Sequence, residues 1–116
     1  MYKRQTLAAI GPTLPATAYA EALQQQRALR HRLSEVLSGF DAILTVPATG
    51  TAPRGLDLTG DASLCAPWTY LGVPAATLPV AIAANGLPLG IQLVGRYRED
   101  LRLLRTAAWA EAALAA

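Results

Sequence analysis

The sequence predicts one α/β unit of 116 residues, in which a β-hairpin at about residues 75–94 is flanked by helices at about 17–38 and 99–115. Two observations carry this prediction. First, two apolar runs of strand length stand on either side of Asn85-Gly86, a dipeptide typical of hairpin turns. Second, before and after these runs, apolar residues recur at the spacing of an amphipathic helix. A chain of this length fits one domain with a modest core.

The first helix has one apolar face and one polar face. Its apolar face repeats at i, i+4, i+7, i+8 and i+11 and consists of Leu29, Leu33, Val36, Leu37 and Phe40. Thr17 is the predicted N-cap, because its hydroxyl can accept a hydrogen bond from the first turn. Gly39 stands where a residue in the left-handed conformation would end the helix.

A short apolar run follows the helix, from Asp41 to Val46, and ends at Pro47. Its nearly continuous apolar character predicts a strand in the centre of a sheet. From Pro47 to about Asp61 the sequence is rich in Gly, Thr, Pro and Asp, which predicts a long loop of the kind that lines binding sites. Residues 62–72 are predicted to hold a short helix interrupted near Pro67.

The hairpin strands have a bulky face and a smaller one, because alternate side chains of a strand point to opposite sides. The bulky face is predicted to carry Ala76, Leu78, Val80, Ile82, Leu89, Ile91 and Leu93. The smaller face is predicted to carry Ala75, Thr77, Pro79, Ala81, Gly90, Gln92 and Val94. Neither face is plainly polar, so we expect both to be covered. Gln92 either contacts a substrate or satisfies a backbone group.

The turn and the prolines give the hairpin further detail. Asn85-Gly86 suits a type I′ turn, in which both central residues have positive φ. Pro79 and Pro88 cannot donate to a strand ladder, so they are predicted at bulges, strand ends or outward-facing positions. In the last helix, Leu103, Ala107, Ala110 and Leu114 form an apolar stripe that we expect to pack on the sheet.

Composition excludes several classes of protein. The net charge of +2 forms no basic patch and no nucleic-acid motif is present, which argues against direct nucleic-acid binding. No run is long enough to span a membrane. The single cysteine, Cys65, allows no intrachain disulfide, so cytoplasmic localisation is expected. Residues 3–20 imitate a signal peptide faintly, but Gly11, Pro12 and Pro15 interrupt the apolar run.

The chain is unusually apolar for its size. Hydrophobic residues make up 53% of it. Counted with Gly and without Tyr, the fraction lies further above the roughly 45–50% usual for soluble domains. We therefore expect apolar faces that are covered either by missing N-terminal chain or by self-association.

Motifs along the chain resemble the C-terminal segment of the amidase signature family. The stretch from Leu71 to Val80, with its Gly-Val-Pro-Ala, leads to Gly86-Leu-Pro-Leu-Gly-Ile-Gln92 and a final helix, as in that family. Phe40-Asp-Ala-Ile-Leu-Thr-Val-Pro47 resembles a strand of the family that begins with Phe, contains Asp and Leu and ends with Pro, and Ala52-Pro53 resembles the Ala-Pro that follows it. Tyr19-Ala-Glu-Ala with Arg27 resembles one of its helices.

The resemblance implies a division of the sequence. Residues 6–116 form a single unit, the C-terminal portion of an amidase domain with a mixed sheet, whereas residues 1–5 match nothing, as a non-native extension would. The family uses a Ser nucleophile, a cis-Ser and a Lys that lie upstream of this segment. The one lysine here, Lys3, lies in the unmatched part. We therefore assign no catalytic residue, no metal site and no cofactor to this chain.

The resemblance also implies that this segment forms part of the substrate-pocket wall. It implies that the substrate of the parent protein is a small-molecule amide. The predicted wall residues are Asp61, Cys65, Trp68 and Thr69. Each of the first three has an alternative role: Trp68 as a core residue, Cys65 as a small structural one, and Asp61 in a turn or cap. In the family's tRNA-dependent amidotransferases an acidic residue binds the substrate's amino group, but Asp61 is about one residue out of register with it.

Three functions remain open on the sequence. The first is the C-terminal part of an amidase that hydrolyses a carboxamide C–N bond. The second is the A subunit of a tRNA-dependent amidotransferase, a different reaction in the same family. The third is a standalone, non-catalytic module for binding or dimerisation, which a unique stoichiometric assembly would favour.

Overall fold

The computed structural model describes residues 8–57 and 59–115. Its helices are α1 (Ala16–Val36), α2 (Ala66–Leu71) and α3 (Asp100–Leu114), and its strands are β1 (Ile43–Thr45), β2 (Ala75–Ile82) and β3 (Pro88–Val94). The three strands form an antiparallel sheet in the order β1-β3-β2. This arrangement confirms the predicted α/β fold class, the hairpin and both long helices. Residues 1–5, which were expected to match nothing, lie outside the described residues.

The sheet lies between two layers of helix. On one face, Leu71, Val73 and Val94 form a core cluster, against which Leu33, Ile43 and Trp68 pack. On the other face, Leu93 packs with Leu103 and Ala107 of α3. As predicted, α3 packs on the sheet through its apolar stripe. The expectation that both faces of the hairpin are covered holds only for its inner half, because Val80 is 41% and Ile82 70% exposed at the far end.

Both predicted caps of α1 are wrong. The helix begins at Ala16 after Pro15, and no side chain caps it. The carbonyl of Pro15 accepts hydrogen bonds from the amides of Ala18 and Tyr19, as the N-cap carbonyl of a helix does. Gly39 does not have a positive φ. The chain continues through a 3₁₀ turn, Leu37–Gly39, whose carbonyl at Leu37 accepts a hydrogen bond from the guanidinium of Arg96.

The hairpin turn also differs from its prediction. Asn85 does not have a positive φ, whereas Gly86 has φ of 79°. The amide of Gly86 donates to the carbonyl of Ala83 over 2.9 Å, and the amide of Ala83 donates to the carbonyl of Leu87. These bonds close a three-residue loop in place of the type I′ turn. The Asn85 side chain stabilises this loop, since its Oδ1 accepts from the amide of Leu87 over 3.2 Å.

A β-bulge reverses the predicted alternation at the end of β2. The register shifts between Pro79 and Ala81, so Ala81 pairs with Leu89, and Ile82 pairs with Pro88. The inserted residue moves Ile82 off the face that carries Leu78, because each added residue inverts the side of the strand. Pro79 at the bulge and Pro88 at the start of β3 confirm the prediction for the prolines.

Two further expectations need correction. The strand predicted at residues 41–46 is shorter and lies at an edge of the described sheet, because β3 pairs with both other strands. Pro67 does not interrupt a helix. It stands in the first turn of α2, where the missing N–H would have no intrahelical partner.

Candidate functional site

The segment predicted as pocket wall is built around α2. Its start is favoured by Pro67, and its end is set by Gly72, which adopts the left-handed conformation with φ of 63°. The amide of Gly72 donates to the carbonyl of Thr69, and the amide of Val73 to that of Trp68. The positive φ favours glycine at this position, because residues with a Cβ rarely adopt it.

Asp61 stabilises the turn that leads into α2. Its Oδ1 accepts a hydrogen bond from the amide of Ser63 over 2.9 Å, and its Oδ2 accepts from the hydroxyl of Ser63 over 2.7 Å. This is the geometry of an Asx turn, which fixes the local backbone. The carboxylate is solvent-exposed. Asp61 therefore has a structural role in this turn.

Cys65 connects α2 to the segment after β1. Its half-buried thiol donates a hydrogen bond to the carbonyl of Pro47 over 3.1 Å. The amide Nε2 of Gln92 points at the same sulfur from the sheet, at 3.7 Å. The three residues thus link α2, β3 and the chain beyond β1 at one point.

Trp68 and Thr69 lie on different sides of α2. Trp68 is half-buried and packs against the cluster of Leu71, Val73 and Val94, as a core tryptophan does. Its Nε1 is buried and has no hydrogen-bond partner among the described residues. Thr69 is exposed, one helical turn from Cys65.

A groove of about 670 Å³ lies at the same sheet face. One wall is the segment of residues 46–50, and the other is made by the far end of the hairpin, including Thr77, Pro79 and Gly90. All the lining residues are uncharged. Asp61, Cys65, Trp68 and Thr69 do not line this groove. Of these four residues, Cys65 is hydrogen-bonded to a lining residue, Pro47.

The wall of residues 46–50 is held at both ends. The thiol of Cys65 binds Pro47 at the start, and Nδ2 of Asn85 donates to the hydroxyl of Thr51 over 3.0 Å at the other end. Tertiary hydrogen bonds from α2 and from the hairpin turn therefore position a loop that has no regular structure of its own. The sequence indicated a site-lining loop here but did not reveal either attachment.

Gln92 takes a role that the sequence left open. Its side chain is 5% exposed, and it stands in register between Thr45 and Thr77 in the middle of the sheet. Its Nε2 points at Cys65, and its Oε1 is buried without a hydrogen-bond partner in the described part of the chain. The signal in the sequence was a polar residue on the inward side of β3, but its partner was not predictable.

Ser34 and Ser63 do not lie in a glycine-rich loop of the kind that surrounds a serine nucleophile in this family. The hydroxyl of Ser34 donates to the carbonyl of Arg30, and that of Ser63 to Asp61. Lys3 lies outside the described residues. Within residues 8–57 and 59–115, no three His, Cys, Asp or Glu side chains gather where they could hold a metal ion. Across the same residues, no helix combines the length and apolarity that a membrane crossing requires.

Comparison with known sequences gives a consistent result. The family model described as Amidase matches residues 4–104. The chain is 44% identical over 78 residues to the A subunit of glutamyl-tRNA(Gln) amidotransferase from Roseobacter denitrificans, an alignment that covers 60% of this chain and 16% of that protein. It is 32% identical to fatty acid amide hydrolase of Medicago truncatula, covering 95% of this chain and 20% of that protein.

Solved structures show the same similarity. A crystal structure of an amidase superposes with a TM-score of 0.70 and 31% identity, covering 97% of this chain and 28% of that one. The structure of 6-aminohexanoate cyclic dimer hydrolase superposes with a TM-score of 0.62 and 27% identity, covering 89% of this chain and 26% of that one. The chain therefore spans less than a third of the length of these proteins.

Proposed function

This chain belongs to the amidase family, and from that premise we propose that it forms the C-terminal part of an enzyme that hydrolyses the C–N bond of a carboxamide. The observation that carries the proposal is the superposition of nearly the whole chain on one continuous fold, that of an amidase. In this proposal residues 6–116 act as a single unit of a larger domain, and the parent enzyme works in the cytoplasm.

The proposed division of labour places the chemistry elsewhere in the parent protein. A serine nucleophile, a cis-Ser and a Lys in the preceding part of the polypeptide would cleave the amide, as the family resemblance implies. The described residues contribute a rigid support. The sheet, α1 and α2 enclose a common core, which fixes the start of α2 relative to the groove.

We assign the pocket wall to the start of α2 and the groove beside it. Asp61 fixes the turn that precedes α2, and Cys65 holds the groove wall through Pro47. Trp68 gives this part of the wall its bulk, and Thr69 presents an exposed hydroxyl. Because the groove lining is uncharged, it suits an amide whose substituent is apolar and uncharged.

A second function is favoured by one observation. Over 78 residues the identity to the A subunit of a glutamyl-tRNA(Gln) amidotransferase reaches 44%. A parent protein of this type would transfer ammonia to an aminoacyl-tRNA with partner subunits and ATP. The register of Asp61 argues against it, because the acidic residue expected to bind the substrate's amino group is displaced by about one position.

The test begins with the native gene. Reading the frame upstream of Met1 should reveal a Lys followed by a Gly/Ser-rich segment with two serines. The encoded polypeptide, expressed in full, should release ammonia from hexanamide and from benzamide, and its serine should react with a fluorophosphonate probe. Replacement of that serine with Ala is the matched control and should abolish both signals.

The outcomes separate the three functions. Ammonia release from simple amides supports the amidase. Turnover that requires glutamine, ATP and glutamyl-tRNA would instead identify the amidotransferase. A native start near Met1, with no upstream double-serine segment and a unique self-assembly, would overturn the enzymatic proposal in favour of the standalone module.

A further inference from the structure

A thiol and an unsatisfied amide oxygen lie next to each other between α2 and the sheet. Nε2 of Gln92 points at Sγ of Cys65 over 3.7 Å. Oε1 belongs to the same amide group, and it is buried without a hydrogen-bond partner among the described residues. Gln92 as a whole is 5% exposed. A buried acceptor without a donor destabilises the fold, so a donor group formed at this point would be held there.

Trp68 supplies a second unsatisfied atom on the same side of the sheet. Its Nε1 is buried and has no acceptor in the described part of the chain. Trp68 follows Cys65 by three residues, a spacing that makes the two side chains neighbours on one face of α2. It packs against the cluster that contains Val94, which shares a face of β3 with Gln92. The contact between α2 and β3 thus holds a thiol, an acceptor without a donor and a donor without an acceptor.

The two unsatisfied atoms define the kind of group that would fit. A hydroxyl group both donates and accepts hydrogen bonds, so it can satisfy an amide oxygen and an indole N–H together. Because both atoms are already buried by the described residues, added polypeptide would have to displace these residues to reach them. A hydroxyl that forms on the sulfur of Cys65 arises inside, beside the amide of Gln92. Cys65 is only half-buried, which leaves access for a reagent as small as a peroxide.

We propose that Cys65 is an oxidation site, at which a peroxide forms a sulfenic acid that Gln92 and Trp68 stabilise. The sulfur attacks one peroxide oxygen, so that an S–O bond forms and the O–O bond breaks. The second oxygen leaves as hydroxide and takes up the thiol proton, which gives water when the oxidant is hydrogen peroxide. Sulfur is oxidised and the peroxide is reduced. The sulfenic hydroxyl then donates to Oε1 of Gln92, and its oxygen accepts from Nε1 of Trp68.

The modification changes the attachment of the groove wall. In the reduced chain the thiol of Cys65 donates to the carbonyl of Pro47 over 3.1 Å. After oxidation the new hydroxyl turns to Gln92, and that carbonyl loses its donor. The oxidised state persists, because Cys65 is the only cysteine and no second thiol of the same chain can condense with it. The inference is independent of the proposed function, since no step requires amide hydrolysis.

The test treats the full chain with hydrogen peroxide and follows its intact mass. We expect an added oxygen that dithiothreitol removes, and dimedone should label Cys65 as a sulfenic acid. The matched control is the double variant Leu56→Cys/Cys65→Ser, whose thiol stands at a fully exposed position. After removal of the peroxide, the sulfenic acid at Cys65 should last about tenfold longer than the one at position 56, because buried partners hold it.

The two partners are tested by separate variants. Gln92→Leu removes the acceptor and Trp68→Phe removes the donor, and each should shorten the lifetime of the sulfenic acid about threefold or more. Thr69→Ser, on the exposed side of α2, is the control and should leave the lifetime unchanged. Circular dichroism of the reduced variants checks their folding. The comparison of Cys65 with position 56 leaves both partners in place, so it decides the proposal even where a partner variant does not fold.

Hydrogen exchange provides the readout for the groove wall. Amides 48–51 should exchange faster in the oxidised chain and return to the original rate after dithiothreitol. Unchanged exchange would contradict the release of the wall. The oxidation site itself is overturned if Cys65 resists peroxide, or if its sulfenic acid decays as fast as the one at position 56. It is also overturned if folded Gln92→Leu and Trp68→Phe variants retain the lifetime of the wild type.

Discussion

The thiol of Cys65 donates a hydrogen bond to the carbonyl oxygen of Pro47 over 3.1 Å. This single contact fixes the start of α2 against the loop that walls the uncharged groove. It also explains how a chain segment of residues 46–50 without regular structure acquires a defined position. Contacts of Gln92, Gly90 and Arg96 support the same fold. Substitution can test each of these three residues and Cys65.

Cys65→Ala should loosen the groove wall. The substitution leaves the half-buried carbonyl of Pro47 without its donor, which costs about 1 kcal/mol of unfolding free energy. Urea denaturation measures the cost, and hydrogen exchange should show faster exchange of amides 48–51. Cys65→Ser is the matched control, because it retains a donor. Equal exchange in the wild type and in Cys65→Ala would show that the thiol does not hold the wall.

The position of Gln92 should tolerate an apolar side chain but not an acidic one. Gln92→Leu removes a buried, unpartnered Oε1, so we expect the unfolding free energy to change by less than about 1 kcal/mol. Gln92→Glu places an uncompensated charge at the same buried position and should cost about 3 kcal/mol or more at pH 7. Urea midpoints of the two variants test this pair. Similar midpoints would mean that the Gln92 side chain is accessible to water.

Gly90 is required by the close approach of β2. A Cβ at this position would lie 2.9 Å from Cγ2 of Thr77 and 3.1 Å from the carbonyl oxygen of Leu78. Gly90→Ala should therefore cost about 1–3 kcal/mol through overpacking. Thr77→Ser removes the nearer methyl group and should recover part of that cost, with a coupling energy of at least about 0.5 kcal/mol in a double-mutant cycle.

The control for this cycle is Gly50→Ala. Gly50 has no atom within 4 Å of the position that a Cβ would take, so the stability of this variant should stay within about 0.5 kcal/mol of the wild type. Thermal or urea unfolding measures all four variants. Additive effects of Gly90→Ala and Thr77→Ser would contradict the steric explanation.

Arg96 should be more important than the other arginines near α3. Its guanidinium donates to the carbonyl of Leu37, a residue that is 1% exposed, and also lies near the carbonyl of Phe40. Arg96→Met should cost about 1–3 kcal/mol, because it leaves a buried acceptor unsatisfied. Arg102→Met, which breaks an exposed ion pair with Asp41, should cost about 1 kcal/mol or less. Equal destabilisation in urea would argue against the capping role of Arg96.

Local patterns were sufficient for the long elements. The apolar periods of α1 and α3 and the paired runs around Asn85-Gly86 predicted helices and a hairpin, since these depend on residues close in sequence. The same patterns misplaced the ends. Gly39 looked like a helix terminus, but the carbonyls there are satisfied by Arg96, which comes from a distant part of the chain. A helix cap supplied by a residue that is distant in sequence leaves no signal in the local sequence.

The candidate site was predictable only in outline. The loop from Pro47 to Asp61 was recognisable by its composition, and a short helix was predicted within residues 62–72, although Pro67 was wrongly expected to interrupt it. The bulge after Pro79, the burial of Gln92 and the attachment of Thr51 to Asn85 were not. Each depends on which strand or turn comes to lie beside the residue, and a single sequence does not state that pairing.

The sequence by itself determined the elements and the excess of apolar surface, because hydrophobic spacing and turn residues act over short distances, and its motifs carried the resemblance to the family. Only the tertiary structure decided where that surface lies. It buries Leu93 and Val94 at the centre of the sheet and leaves Trp109 and Leu44 exposed beside it. The reason is geometric: α3 is too narrow to cover three strands, and the width of a helix against a sheet becomes a constraint only after the chain has folded.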